Sequence, residues 1–257
     1  PIKSIPDGNY ELSESSERMS ILPHPLAPLS RLGRTLRDAL LPGSCLLCEA
    51  NSGDALLCPA CSLDLPRLPE KTCPQCTLPT SYGERCGACL KTPPHFEATL
   101  APFLYEFPVD RIIHALKYGH QLVVAEWAAA ELAACCTGRD ISLIMPLPLH
   151  PARLRERGFN QSAEVARRIG NRLNFQVDRS SLLRCRDTPP QAALPLKERR
   201  GNVRGAFECR RDLSGERILL VDDVLTTGAT AGECARVLHL HGAQEVTVAV
   251  LARALRH

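Results

Sequence analysis

The 257 residues are enough for one ordinary α/β domain plus a small accessory module, and too few for two large cores. The formal charge of +3 is unevenly spread: Pro151 to Arg217 carries 16 Lys+Arg against 8 Asp+Glu, a local +8 that leaves −5 for the rest of the chain. That block suits either a polyanionic ligand or an arginine-rich solvated face, and no window of about 18 apolar residues exists that would form a membrane span.

In chain order, the polar run Pro1 to Arg18 ends just before Met19 and reads as an expression leader outside the fold. No charged–apolar–small secretory signal follows, so a cytoplasmic location is expected. Thirteen cysteines come next into view, eight of them in four C-x-x-C units: Cys45/Cys48, Cys58/Cys61, Cys73/Cys76 and Cys86/Cys89. The gaps between units are 9, 11 and 9 residues, the mark of an internal duplication. Each C-x-x-C turn sets two thiolates on one side of a knuckle, and two knuckles complete a tetrahedral Zn²⁺ site. A module of this size has too few large apolar side chains to fold unaided, so metal supplies the missing free energy. Two structural zinc ions are therefore expected, in a double ribbon over residues 41–92. Disulfides, disfavoured in a reducing compartment, and an iron–sulfur cluster are the alternatives. Pairing in sequence order is preferred over an interleaved cross-brace. Cys135, Cys136, Cys185, Cys209 and Cys234 lack the spacing and read as small buried hydrophobes. The ribbon core and the core of the larger domain are expected to be separate.

Beyond the Lys91-Thr-Pro-Pro94 linker the pattern becomes that of an α/β domain, residues 96–257. A strand is predicted over Ala98–Phe107, a helix over Val109–Tyr118 with Ile112, Ile113 and Leu116 inward, and an Ala-rich helix over Leu122–Cys136. The apolar run Ile141–Leu149 reads as a strand buried on both faces, and Asn160–Leu173 as a helix. Arg179 to Asp212 is polar and proline-bearing, and is expected to be mobile. Strand Arg217–Val221, helix Ala229–His241 and strand Glu245–Leu251 close the chain. Strands alternating with helices imply a parallel sheet covered on both sides.

The segment Ile218 to Ala231 carries the clearest chemistry. Four apolar residues build a strand, Asp222 and Asp223 appear where it emerges, and Thr226-Thr-Gly228 opens a helix. Hydroxyls and N–H groups at a helix start form an anion cradle, and Gly228 admits close approach of a phosphate. The carboxylates suit sugar hydroxyls or Mg²⁺ instead. The combination fits a ribose 5-phosphate. Lys117 at a helix end, and Arg157 beside Asn160, add candidate cations, while His114, His120 and His150 stand isolated.

Val221 to Ala231 resembles the loop for 5-phosphoribosyl-1-pyrophosphate (PRPP) of type I phosphoribosyltransferases. Pro146-Leu-Pro-Leu149, Arg157-Gly-Phe-Asn-Gln161, and Gln191 with Arg199, Arg200 and Asn202 narrow the likeness. With the preceding cysteine module the chain is similar to the ComF family of competence-associated, GntX-like phosphoribosyltransferase homologues, from about Cys45 onward. The resemblance implies that Asp222 and Asp223 hold the ribose, and that Val221, Thr226, Thr227, Gly228, Ala229 and Thr230 surround the 5-phosphate. It also implies that Pro146 and Leu147 face pyrophosphate and that Arg186 to Arg204 closes over the ligand; by position and charge Lys117, Arg157 and Arg199 are candidates for binding, the alternatives being a helix-dipole partner, helix-start solvation and loop solubility. PRPP with Mg²⁺ and an unidentified acceptor would then be the reactants, with a link to DNA uptake and its protein partners. Two other readings stand beside the enzyme: a PRPP or nucleotide sensor without catalysis, and a protein that holds single-stranded nucleic acid non-specifically. Aromatic residues are only 4% of the chain, few stacking platforms for the last of these.

Overall fold

Parallel strands alternating with helices need their hydrophobic runs buried on both faces, and the computed structural model shows that arrangement. It describes residues 43–118, 122–188 and 199–255, all within one compact unit, Gly43–His257. The run Pro1–Arg18, His120, Gln191 and the prolines at 189, 190 and 195 lie outside the described residues.

Two short helices, α1 (Pro59–Leu63) and α2 (Gly87–Lys91), follow the first cysteine of their knuckles, with Pro59 and Gly87 at the helix start. The sheet then runs in the order β1 (Ala98–Leu100), β8 (Glu245–Arg253), β7 (Arg217–Leu225), β3 (Leu143–Pro146), β4 (Gln176–Val177), every pair parallel. The single strand predicted over Ala98–Phe107 is two: β2 (Phe103–Leu104) pairs farther along β8. Helices α3 (Val109–Tyr118), α4 (Leu122–Cys136), α6 (Gln161–Leu173) and α8 (Ala229–Leu240) lie close to expectation. In α3, Val109, Ile112, Ile113 and Leu116 are buried, the one-face spacing of an amphipathic helix.

Several elements escaped the sequence reading, the short strand β4 among them. Helix α5 (Pro151–Arg157) is bounded by His150, whose Nδ1 accepts from the Ala152 N–H, and by Gly158 at φ 79°. Strands β5 (Leu182–Arg184) and β6 (Phe207–Cys209) pair antiparallel, and helix α7 (Arg199–Val203) lies between them in sequence. The polar stretch expected to be mobile thus holds an ordered arm, because Leu182, Val203, Ala206, Phe207, Cys209 and Leu213 are buried in one apolar cluster with α8.

The expectation of separate cores is corrected by the first ribbon. Cys45, Leu56, Leu57, Cys58 and Leu65 join Phe103, Ile112, Leu116 and the Ala-rich face of α4 in one continuous cluster. Cys73, Cys76 and Cys89 form a small cluster of their own.

Candidate functional site

The eight knuckle cysteines gather into the two groups expected in sequence order: Cys45, Cys48, Cys58 and Cys61, then Cys73, Cys76, Cys86 and Cys89. In each group the sulfurs lie within 4.8 Å of one another. The Sγ–Sγ separations Cys48–Cys58 and Cys76–Cys86 are both 3.6 Å, far beyond an S–S bond. Thiolates about 2.3 Å from a tetrahedral zinc would be separated by nearly that much, so the residues fit the ion. Burial pushes the Cys45 thiol up, yet N–H groups of Cys58, Cys48 and Leu47 outweigh it and draw the pKa down to about 6. Cys73 is brought to about 7 in the same way, burial opposed by N–H groups of Cys86, Cys76 and Gln75. Backbone donors aimed at sulfur favour the thiolate a metal requires. Of the other cysteines, Cys136, Cys209 and Cys234 are buried as expected and Cys135 partly so. Cys185 is exposed.

The second centre of chemistry is the carboxyl end of β7. The strand continues four residues beyond the predicted Val221, so Asp222 and Asp223 are strand residues whose side chains point to opposite faces. Helix α6 meets both. Asn160 caps it by accepting from the N–H groups of Ser162 and Ala163, while its own Nδ2 donates to the Leu147 carbonyl at 3.1 Å. That cap places Gln161, whose Nε2 donates to Asp223 Oδ2 at 2.7 Å, and Ser162, whose hydroxyl donates to Asp222 Oδ1 at 3.0 Å. Lys117 Nζ, at the end of α3, lies 2.8 Å from Asp223 Oδ1. Burial disfavours its charge, but the Asp223 carboxylate outweighs burial and holds the pKa above the usual lysine value. Asp222 is pushed up to about 7, first by burial and then by the charge of Asp223, with Lys117 and Ser162 pulling the other way.

Arg157 reaches this network through a neighbour. Its Nη1 donates to Gln161 Oε1 at 2.8 Å, and its guanidinium lies over the Tyr118 ring at 5.2 Å. It also lines a cleft of about 640 Å³ with Arg153, Glu156, Asp187 and Thr188.

After β7 the chain turns through Thr226 and Thr227 to Gly228, at φ 75°, which opens α8. A left-handed conformation here favours glycine. A Cβ at Gly228 would meet the Phe96 ring at 3.5 Å. The first N–H groups of any helix have no partner within it; that of Ala229 is met by Thr227 Oγ1 at 3.3 Å. Thr227, Gly228 and Ala229 line a cleft of about 510 Å³ together with His95, Arg204 and Arg236.

Comparison with known proteins agrees with this division. Residues 36–90 match the model of the double zinc ribbon domain and residues 155–256 that of the phosphoribosyl transferase domain. The DNA utilization protein YhgH of Escherichia coli O157:H7 is 33% identical over 225 residues, 84% of this chain and 99% of the relative. Competence protein F of Haemophilus influenzae is 30% identical, covering 82% and 96%. The chain belongs to the ComF family. A more distant relative in the same family is competence protein ComFC of Streptococcus pneumoniae, 26% identical over 86% of this chain and 97% of its own.

Set against the ComF pattern, the remaining expected residues are distributed as follows. Pro146, Leu147 and Val221 are buried, so their side chains face the core. The Leu147 N–H donates to the Val221 carbonyl at 2.8 Å, which joins the ends of β3 and β7. Arg199 starts α7, and its side chain lies outside the described residues. His114 packs beside Tyr118 and His150 caps α5. The sequence reading missed Gln161 and Ser162 as partners of the acidic pair, although both lie in or beside the motif Arg157–Gln161. The asparagine cap at position 160 was the available signal. It also missed Arg253, which is 2% exposed at the end of β8.

Proposed function

We propose that this ComF chain binds PRPP at the carboxyl end of β7, with the 5-phosphate on the Thr226–Thr230 turn and the ribose hydroxyls donating to Asp222 and Asp223. The observation that carries this reading is the pairing of a glycine-opened helix start with two carboxylates on one strand, each held by a residue of α6. Gln161 and Lys117 fix Asp223, Ser162 fixes Asp222, and Arg157 steadies Gln161, so the acidic pair is oriented before ligand arrives. The zinc ribbon at 41–92 and the transferase-like segment at 96–257 are the two functional parts, a division supported by the matched family models.

The reaction best suited to this site is transfer of phosphoribosyl. A nucleophile forms a bond to C1 of the ribose as the C1–O bond breaks, and its electron pair leaves with pyrophosphate. Mg²⁺ carried by the diphosphate would neutralise charge on the departing group. A cation of the chain serves the same end: Arg157 borders the neighbouring cleft. Thiol-rich zinc centres favour a reducing, cytoplasmic setting. The names of the relatives support a role linked to DNA uptake.

Sequence-independent binding of nucleic acid is a weaker reading. Arg167, Arg168, Arg172, Arg210, Arg211 and Arg217 of the basic block all form ion pairs within the protein, which leaves less charge for phosphates. Calorimetry with PRPP and Mg²⁺ tests the main proposal. Wild type is expected to bind, and Asp223→Asn, which removes the charge facing Lys117, to bind at least tenfold more weakly. Equal binding by both would contradict it.

A further inference from the structure

We propose that the second zinc ribbon positions the phosphate-binding turn, through Arg253 and Gln75, so that a filled Cys73–Cys76–Cys86–Cys89 tetrad raises affinity for PRPP. The inference rests on the reading of the turn given above. Its basis is a short run of buried contacts from the knuckle Cys73-Pro-Gln-Cys76 to Thr226–Gly228.

The first route is Arg253. Its Nε donates to the carbonyl of Cys76 at 2.7 Å, and its Nη1 donates to the carbonyls of Leu225 at 2.7 Å, Ala254 at 2.7 Å and Thr226. A guanidinium is a rigid planar fork, so the zinc-ligating residue and the turn are held by one inflexible group. In a trans peptide the N–H points opposite to the carbonyl. By drawing the carbonyls of Leu225 and Thr226 toward itself, Arg253 aims the N–H groups of Thr226 and Thr227 away from it, and keeps carbonyl oxygens off an incoming phosphate.

The second route is Gln75, within the same knuckle and 6% exposed. Its Nε2 donates to the Phe96 carbonyl at 2.9 Å, and its backbone carbonyl accepts from the Thr99 hydroxyl at 2.7 Å, which pins the knuckle to β1. The Phe96 ring is the surface against which Gly228 packs. Both routes begin at backbone whose geometry depends on the Cys73 and Cys76 thiolates sharing an ion, and both end on the turn. The first tetrad has no such polar route among the described residues; it packs into the apolar core near α3 and α4.

The test is a double-mutant cycle on the full-length, zinc-loaded protein: Arg253→Lys, Cys89→Ser and both together. The readouts are zinc content, PRPP affinity and amide hydrogen exchange over residues 226–230. Cys89→Ser should retain one zinc, lose roughly tenfold in affinity and exchange faster at the turn. Arg253→Lys keeps the charge but cannot span both carbonyl sets, so it should show part of that loss with both zincs present, the Gln75 route being intact. The double variant should be no worse than Cys89→Ser alone, since the arginine acts on a knuckle that loss of the tetrad has already loosened. If Arg253→Lys fails to fold, exchange in Cys89→Ser still decides. Unchanged turn exchange there, affinity within twofold of wild type, or fully additive losses overturn the coupling. A wild type that binds no PRPP overturns the reading of the turn instead, and faster exchange in Cys89→Ser would then still uphold the coupling.

Discussion

The two zinc ribbons share a spacing and differ in what surrounds them. The first carries Leu46 and Leu47 between its cysteines and Leu56 and Leu57 before the next pair, and these sink into the core against Phe103 and α4. The second carries Pro74 and Gln75 at the matching place and is fastened by hydrogen bonds, from Gln75 to the Phe96 carbonyl and from Arg253 to Cys76. A duplicated metal framework therefore does two jobs. One copy extends a hydrophobic core; the other braces a loop. The cysteines set the local shape, and the residues between them decide what that shape is attached to.

The strongest way to break this contrast is to remove one ligand from each tetrad. Cys58→Ser should destabilise the whole fold, on the order of 5 kcal/mol, because the site lies in the shared core. Cys86→Ser should cost far less and leave the sheet intact. Urea denaturation followed by circular dichroism separates the two, and equal losses would end the distinction.

Side chains beside the metal sites sharpen the point. Leu57→Ala leaves a cavity in the continuous core and should cost about 3 kcal/mol, whereas Leu78→Ala, at the small second cluster, should cost about 1 kcal/mol.

Acid titration adds a third region for scale. Asp178 accepts from Ser180, Ser181 and Arg211, which between them overcome its burial and hold its pKa at about 2. A depressed carboxylate stabilises the fold above its unfolded pKa of about 4, and that contribution disappears as pH falls through about 2. Asp178→Asn should therefore remove about 2 kcal/mol at neutral pH and flatten the stability profile between those two values. Zinc thiolates should protonate at higher pH, so metal loss and loosening of the arm should appear as separate steps.

The smallest expected effect on stability is at the turn. Gly228→Ala introduces ordinary contacts with Phe96 and Leu225, so its cost comes mainly from the positive φ, about 1 kcal/mol. Its effect on PRPP affinity should be larger, tenfold or more, because strain at this positive φ would shift the N–H groups proposed to meet the phosphate.

Much of this was legible in the residues themselves. The C-x-x-C spacing announced both cysteine groups, and the order strand, acidic pair, Thr-Thr-Gly, helix announced the candidate site's backbone, since each depends on local chemistry that sequence displays directly. The alternation of apolar runs gave the parallel sheet and most of its helices. What could not be read depended on contacts between distant segments. Arg253 looks like a charged strand end until Cys76 and Thr226 are brought beside it. The β5–β6 arm looks polar because only alternate residues, Leu182 and Arg184 opposite Phe207 and Cys209, turn inward. Helix α5 was hidden by its charges, although His150, Pro151 and Gly158 mark its ends.

The central claim is tested most directly by a crystal structure of the zinc-loaded protein with PRPP and Mg²⁺. The account predicts the 5-phosphate against the N–H groups of Thr226 to Thr230 and the ribose hydroxyls within hydrogen-bond distance of Asp222 and Asp223. Ligand bound elsewhere, or a ribose ring with no contact to either carboxylate, would contradict it.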